Sequence, residues 1–69
     1  MKKLKQTKMF VEMLKRNFTY AKNNKIVKDK FVRVINACVR EELGLNAKAK
    51  INWSTKKVTI YDSVRKFIL

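Results

Sequence analysis

Between Thr7 and Lys22 the apolar residues Phe10, Met13, Leu14, Phe18 and Ala21 recur at steps of three and four, which stacks them on one face of a helix. Lys5, Lys8, Glu12, Lys15, Arg16, Thr19 and Lys22 fall on the opposite face, so this helix is amphipathic with a cationic outer stripe. Tyr20 lies off the main apolar face, and Asn23-Asn24 offers residues that tolerate the left-handed backbone of a helix end. A second helix is expected from an Asp29 cap to about Leu43. Phe31, Ile35, Cys38, Val39 and Glu42 share its inner face, and Val32, Val34 and Leu43 widen it. Gly44 suits the position that ends this helix, with Leu45 packing back onto the last turn. Lys30, Arg33, Ala37 and Arg40 point outward as a second basic stripe.

Past Asn46 the period falls from about 3.6 to 2. Ala47, Ala49, Ile51 and Trp53 alternate with Lys48, Lys50, Asn52 and Ser54, and Val58, Ile60 and Asp62 alternate with Thr59 and Tyr61, the pattern of two half-buried strands. Joining them through Ser54-Thr55-Lys56-Lys57 pairs Trp53 with Val58, Ile51 with Ile60 and Ala49 with Asp62, and sets the apolar members on one face. After the hairpin, Asp62 or Ser63 could cap a short helix containing Val64, Phe67 and Ile68, with continued strand as the alternative. A lone hairpin is marginal in water, so its apolar face should lie on the helices. The expected fold is therefore α+β: two amphipathic helices packed on a β-hairpin in the order α-α-β-β, followed by a short C-terminal helix or strand. Phe10, Leu14, Ile35, Val39 and Trp53 should share one core.

The chain has 69 residues, one glycine and no proline, with no internal repeat or linker, which implies one small basic domain over residues 1–69, with residues 1–6 as a candidate unstructured lead-in. A core of this size is marginal without a staple. Cys38 has no partner for a disulfide, and the absence of histidine removes the usual zinc ligand sets, so neither metal nor other cofactor is expected. Met1-Lys2-Lys3-Leu4 begins like a signal peptide, but Lys5, Lys8, Glu12 and Lys15 interrupt the apolar stretch that would have to follow. No run is apolar enough to span a bilayer. The single cysteine fits a reducing compartment, and a cytoplasmic location is expected.

Charge sharpens the picture. Eighteen Lys and Arg against five acids give a net charge of +13, with +9 carried by residues 1–33 and +4 by the remainder. Self-repulsion of that size favours an anionic partner. Fourteen of the eighteen cations are lysine, a hydrated point charge suited to phosphate contact, and only four are arginine, the residue suited to bidentate base reading. The candidate nucleic-acid contacts are Lys8, Lys15, Arg16 and Lys22 on the first helix, Lys30, Arg33 and Arg40 on the second, and Lys48, Lys50, Lys56 and Lys57 on the hairpin. Tyr61 joins them as an exposed aromatic among cations, suited to stacking on a base, whereas Trp53 faces the core.

Enzymatic chemistry finds no constellation. There is no histidine and no Gly-rich loop, Cys38 sits on the inner face of a helix, and Glu41 and Glu42 point in different directions. No enzyme is expected.

Residues 31–69 carry a helix of the form Val-Ile-Asn-Ala-Cys-Val-Arg-Glu-Glu-Leu-Gly-Leu, then a hairpin and Ser63-Val64-Arg65-Lys66. This run resembles the KH-like domain of the bacterial replicative-helicase loader family, though it has neither the family's usual Asn-Gly at the strand turn nor the Gly-x-x-Gly clamp of true KH domains. The resemblance implies an accessory role in replication, on DNA.

Two functions from different classes therefore compete. One is a basic accessory protein that neutralises DNA or RNA phosphates with weak sequence specificity. The other is a protein-interaction module, such as a small regulator or inhibitor of viral or mobile-element type, docking on an acidic surface of a host nucleic-acid enzyme. A membrane-active peptide is disfavoured by the polar mean hydropathy of −0.37, and a homodimer remains open.

Overall fold

The computed structural model describes residues 4–69; of the candidate lead-in, residues 1–3 lie outside the described residues, Leu4 caps a helix, and Lys5 and Gln6 form its first turn. The element order is α1 (Lys5–Arg16), α2 (Phe18–Lys22), α3 (Lys25–Leu43), β1 (Lys48–Asn52), β2 (Lys57–Tyr61) and β3 (Lys66–Ile68). The strands form one antiparallel sheet in the order β1-β2-β3, and the helices pack on its inner face, giving an α+β fold of two layers.

The expected first helix is divided at Asn17. Its amide side chain donates to the Met13 carbonyl at 3.0 Å while its backbone N–H is shared between the carbonyls of Met13 and Leu14, both at 3.1 Å. The shared N–H and the Asn17 backbone (φ −114°, ψ 28°) mark the interruption; the amide bond alone does not make it, since Asn36 donates to the Val32 carbonyl in the same way inside the unbroken α3. The buried stripe also differs from the expected one. It runs Thr7, Val11, Leu14, Phe18, Ala21, while Phe10 is half-buried and Met13 is 43% exposed. Phe10 and Met13 line a groove with Val27, Lys30, Phe31 and Val34 of α3 and no strand residue, so the apolar arc of α1 is wider than the arc the core uses.

α3 begins four residues before Asp29. Asn24 is its cap, with extended backbone (φ −125°, ψ 106°) and a side-chain oxygen that accepts from the N–H groups of Ile26 and Val27. Neither Asn23 (φ −94°) nor Asn24 is left-handed. The earlier start adds Val27, which packs against the core beside Phe31. Gly44 ends α3 at φ 116°, ψ 168°, an extended ψ rather than that of a left-handed cap. The chain consequently leaves the helix outward: Leu45 is 88% exposed instead of packing back, and Ala47 takes the buried position.

α1 has no side-chain cap of its own; Glu42, near the end of α3, supplies one. Its carboxylate accepts from the backbone N–H of Gln6 and of Thr7, each at 2.9 Å, and from the Thr7 hydroxyl at 2.6 Å. α1 and α3 are thereby pinned antiparallel. Burial alone would raise the Glu42 pKa, but the bonds from Thr7 and Gln6 outweigh it and hold the carboxyl below its ordinary value.

The hairpin is shifted by two residues from the expected register. Ile51 faces Val58, Ala49 faces Ile60 and Lys48 faces Tyr61. Asn52 sets the shift, because its side chain accepts from the N–H groups of Ser54 and Thr55, its carbonyl accepts from Lys56, and Lys56 adopts φ 65°. The loop is thus Trp53–Lys56. A two-residue shift keeps every side chain on its face. Trp53, freed from the strand, is half-buried against the core and stacks on Phe18 with ring centroids 5.6 Å apart.

The C-terminal element is a strand. The Asp62 carboxylate accepts from the N–H groups of Val64 and Arg65, which tightens 62–65 into a turn instead of starting a helix, and β3 pairs Ile60 with Phe67. Ile35, Val39 and Leu14 are buried at the centre with Val58 and Ile60, and Phe10 and Trp53 pack against this cluster from outside. Cys38 is also buried; desolvation, and then the charges of Glu42 and Glu41, raise its thiol pKa.

Candidate nucleic-acid interface

Strand alternation assigns the two faces of the sheet. Ala49, Ile51, Val58, Ile60 and Phe67 turn toward the helices, which leaves Lys48, Lys50 and Asn52 of β1, Lys57, Thr59 and Tyr61 of β2, and Lys66 and Ile68 of β3 on the outer face. Four lysines, Lys48, Lys50, Lys57 and Lys66, stand on this face with no acidic side chain among them, and all four are exposed. Three strands of this length make a platform of about 10 by 17 Å.

Tyr61 occupies the middle strand of that platform. It pairs directly with Lys48 on one side and Lys66 on the other, and the Lys48 Nζ lies 5.9 Å from its ring centroid. The ring is half-buried between the two cations rather than fully exposed. The nearest acid along the chain is Asp62, whose carboxylate is engaged by the Val64 and Arg65 N–H groups and lies 3.3 Å from the Arg65 guanidinium. Those backbone bonds, and then Arg65, hold its pKa below the ordinary value, so it stays ionised but turned toward its own turn.

The remaining candidate contacts are exposed but do not join this platform. Lys8, Lys15, Arg16 and Lys22 lie on the outer surfaces of α1 and α2, and Lys30, Arg33 and Arg40 on that of α3, in the other layer of the fold. Lys8 and Lys15 are the intermediate case: with Val11 and Glu12 they border Leu69, at the β3 edge of the sheet. Lys56 sits at the hairpin tip, its Nζ 5.5 Å from the Phe18 ring, and Lys28 stands 5.2 Å from the Trp53 ring. Phe18 on one side and Lys28 nearby occupy the surroundings of Trp53, which leaves it a packing residue.

The three basic sets expected from the sequence therefore divide into a sheet face and a helix face. Lys66 is the member the sequence reading missed. The alternation Lys66-Phe67-Ile68-Leu69 carried the signal, since a strand there puts Lys66 on the face of Tyr61. Among the described residues no three His, Cys, Asp or Glu side chains gather to hold a metal ion, and no helix is long and apolar enough to cross a membrane. Set against known protein families, curated proteins and solved structures, the chain matches none of them.

Proposed function

We propose that this chain is a small basic accessory protein that binds single-stranded nucleic acid on the outer face of its sheet. The observation that carries this reading is the acid-free platform of Lys48, Lys50, Lys57 and Lys66 around Tyr61. Lysines on neighbouring strands neutralise successive phosphates, and the tyrosine offers a ring on which one base stacks. A broad flat face suits an unpaired strand, whose bases are free to turn toward it, better than a duplex groove, which takes a protruding helix or ribbon. With lysine in place of arginine, the contacts are to phosphate and sequence preference is weak. Cations of the helix layer add long-range attraction without forming part of the site. The likeness of residues 31–69 to the KH-like domain of helicase loaders points the same way and suggests DNA at replication as the setting.

Fluorescence anisotropy of a labelled single-stranded 15-mer, read at several salt concentrations, tests the proposal. Four phosphates neutralised on a single strand give a log–log slope of about −2.8, at about −0.7 per contact. Tyr61→Ala should weaken binding by about 1–3 kcal/mol while Tyr61→Phe retains it. Equal affinity of the alanine variant and the parent, or tighter binding to duplex than to single strand, would contradict this function.

A further inference from the structure

The packing of α1 against α3 leaves more apolar surface than the core consumes. The two antiparallel helices bound a groove of about 300 Å³, lined by Phe10 and Met13 of α1 and by Val27, Lys30, Phe31 and Val34 of α3. Phe10, Val27, Phe31 and Val34 are half-buried there, and Met13 is 43% exposed. One turn before Met13 and Lys30, respectively, Met9 (53% exposed) and Ile26 (81% exposed) extend the apolar strip beyond the groove. Met9 and Met13 also stand among Lys5, Lys8, Glu12 and Arg16, so the exposed apolar residues of the helix layer are set in a largely cationic surround, the make-up of an interaction surface.

Shape and charge together select the occupant. A furrow between two packed helices receives the side-chain ridge of a third helix, with anchors at i, i+3 or i+4, and i+7. Methionine side chains at its edge adapt to such anchors. Lys30 lines the furrow, and Arg33 and Arg16 follow one turn after Lys30 and Met13. Of the acids on these helices, Glu42 is tied to the first turn of α1, Glu12 lies 3.9 Å from Arg16, and Asp29 and Glu41 are flanked in sequence by Lys28, Lys30 and Arg40. A second copy of a chain with net charge +13 is repelled from this face. The geometry points to an amphipathic helix of a partner protein, bearing acidic residues beside its apolar stripe, docked between α1 and α3. Nucleic acid and this partner then occupy opposite layers and do not compete for the same residues.

The test uses the full chain and three synthetic 18-residue peptides: a helical Leu stripe flanked by Glu, the same stripe flanked by Lys, and a Glu peptide of identical composition with its Leu positions scrambled. Titration followed by ¹H–¹⁵N correlation spectra should show micromolar binding of the first peptide alone, with shifts concentrated at Phe10, Met13, Val27, Lys30, Phe31 and Val34. Met13→Asp, at a partly exposed position, should weaken that binding at least tenfold with an unchanged melting temperature, while oligonucleotide binding persists. Should Met13→Asp destabilise the fold, Lys30→Glu supplies the same test, with an expected loss of at least threefold. Equal binding of the lysine-flanked or scrambled peptide, shifts confined to the sheet face, or a concentration-dependent dimer abolished by Met13→Asp would each overturn the proposal.

Discussion

Replacing Glu42 removes a contact that joins the end of α3 to the start of α1. In the folded chain its carboxylate accepts three hydrogen bonds from the first turn of α1, a helix whose own cap position, Leu4, offers no side-chain acceptor. Glu42→Ala leaves the Thr7 hydroxyl, on a side chain with 0% exposure, without its acceptor, and strips the negative charge from a helix N-terminus. An unsatisfied buried hydroxyl costs about 1–3 kcal/mol and the lost charge about 0.3–1 kcal/mol, so a total near 2–3 kcal/mol is expected. For a domain of this size that lowers Tm by roughly 8–24 °C. Glu42→Gln keeps one carbonyl acceptor and should cost about 1–2 kcal/mol. The pH dependence is specific. Because the folded pKa of Glu42 lies below its ordinary value of 4.5, its contribution is fully present above that value and is lost as pH falls through the lower folded value. Denaturant unfolding of parent and Glu42→Gln from pH 7 to pH 2 should therefore show a stability gap that is constant at neutral pH and closes in acid. Asp62, whose pKa is also depressed, remains in both proteins and cancels from the difference. A gap that is absent at pH 7, or that persists unchanged at pH 2, would refute the capping role.

Three further outcomes follow from the packing. Lys56→Gly should raise stability by up to about 1 kcal/mol, because glycine adopts φ 65° without the steric cost lysine carries there; a loss would show that the ammonium over Phe18 outweighs the backbone strain. Ile35→Ala, at a position with 0% exposure, should cost about 2–5 kcal/mol, whereas Phe10→Ala at the groove should cost less than half as much, and equal losses in chemical denaturation would contradict the assigned helix faces. Cys38, 8% exposed and with a raised pKa, should react with a thiol reagent well below the rate of a free cysteine, so labelling as fast as an unfolded control would count against its placement.

The order of elements and the sheet faces were legible because both rest on periodicity. A register error of two leaves the pleat unchanged, which is why Lys48, Lys50 and Tyr61 fell on the correct face although their partners did not, while Lys57, expected in the turn, joins that face only in the observed register. What local pattern left open was settled by competition between equally good signals. Asn24 and Asp29 are both suitable caps, and the earlier one is used because Val27 packs beside Phe31. Asn17 is an unremarkable polar residue in a helical pattern, and its local sequence does not separate it from Asn36, which makes the same bond to the i−4 carbonyl inside an unbroken helix. Glu42 sits among apolar residues on the inner face of α3, where only the arrival of α1 gives its carboxylate donors. The separation of the basic stripes into two layers follows from the hairpin's apolar face lying on the helices, whereas the addition of Lys66 depends on β3 pairing with β2, which no single-segment pattern contains.

Mapping a single-stranded 15-mer onto the protein by ¹H–¹⁵N correlation spectra decides whether the outer face of the sheet is the binding surface. Shifts are expected at Lys48, Lys50, Lys57, Thr59, Tyr61 and Lys66, with little change at Lys30, Arg33 and Arg40, and binding should be lost in Lys48→Glu/Lys50→Glu/Lys66→Glu but not in Lys30→Glu/Arg33→Glu/Arg40→Glu. Shifts centred on α1 and α3, or equal loss from both triple variants, would contradict that assignment.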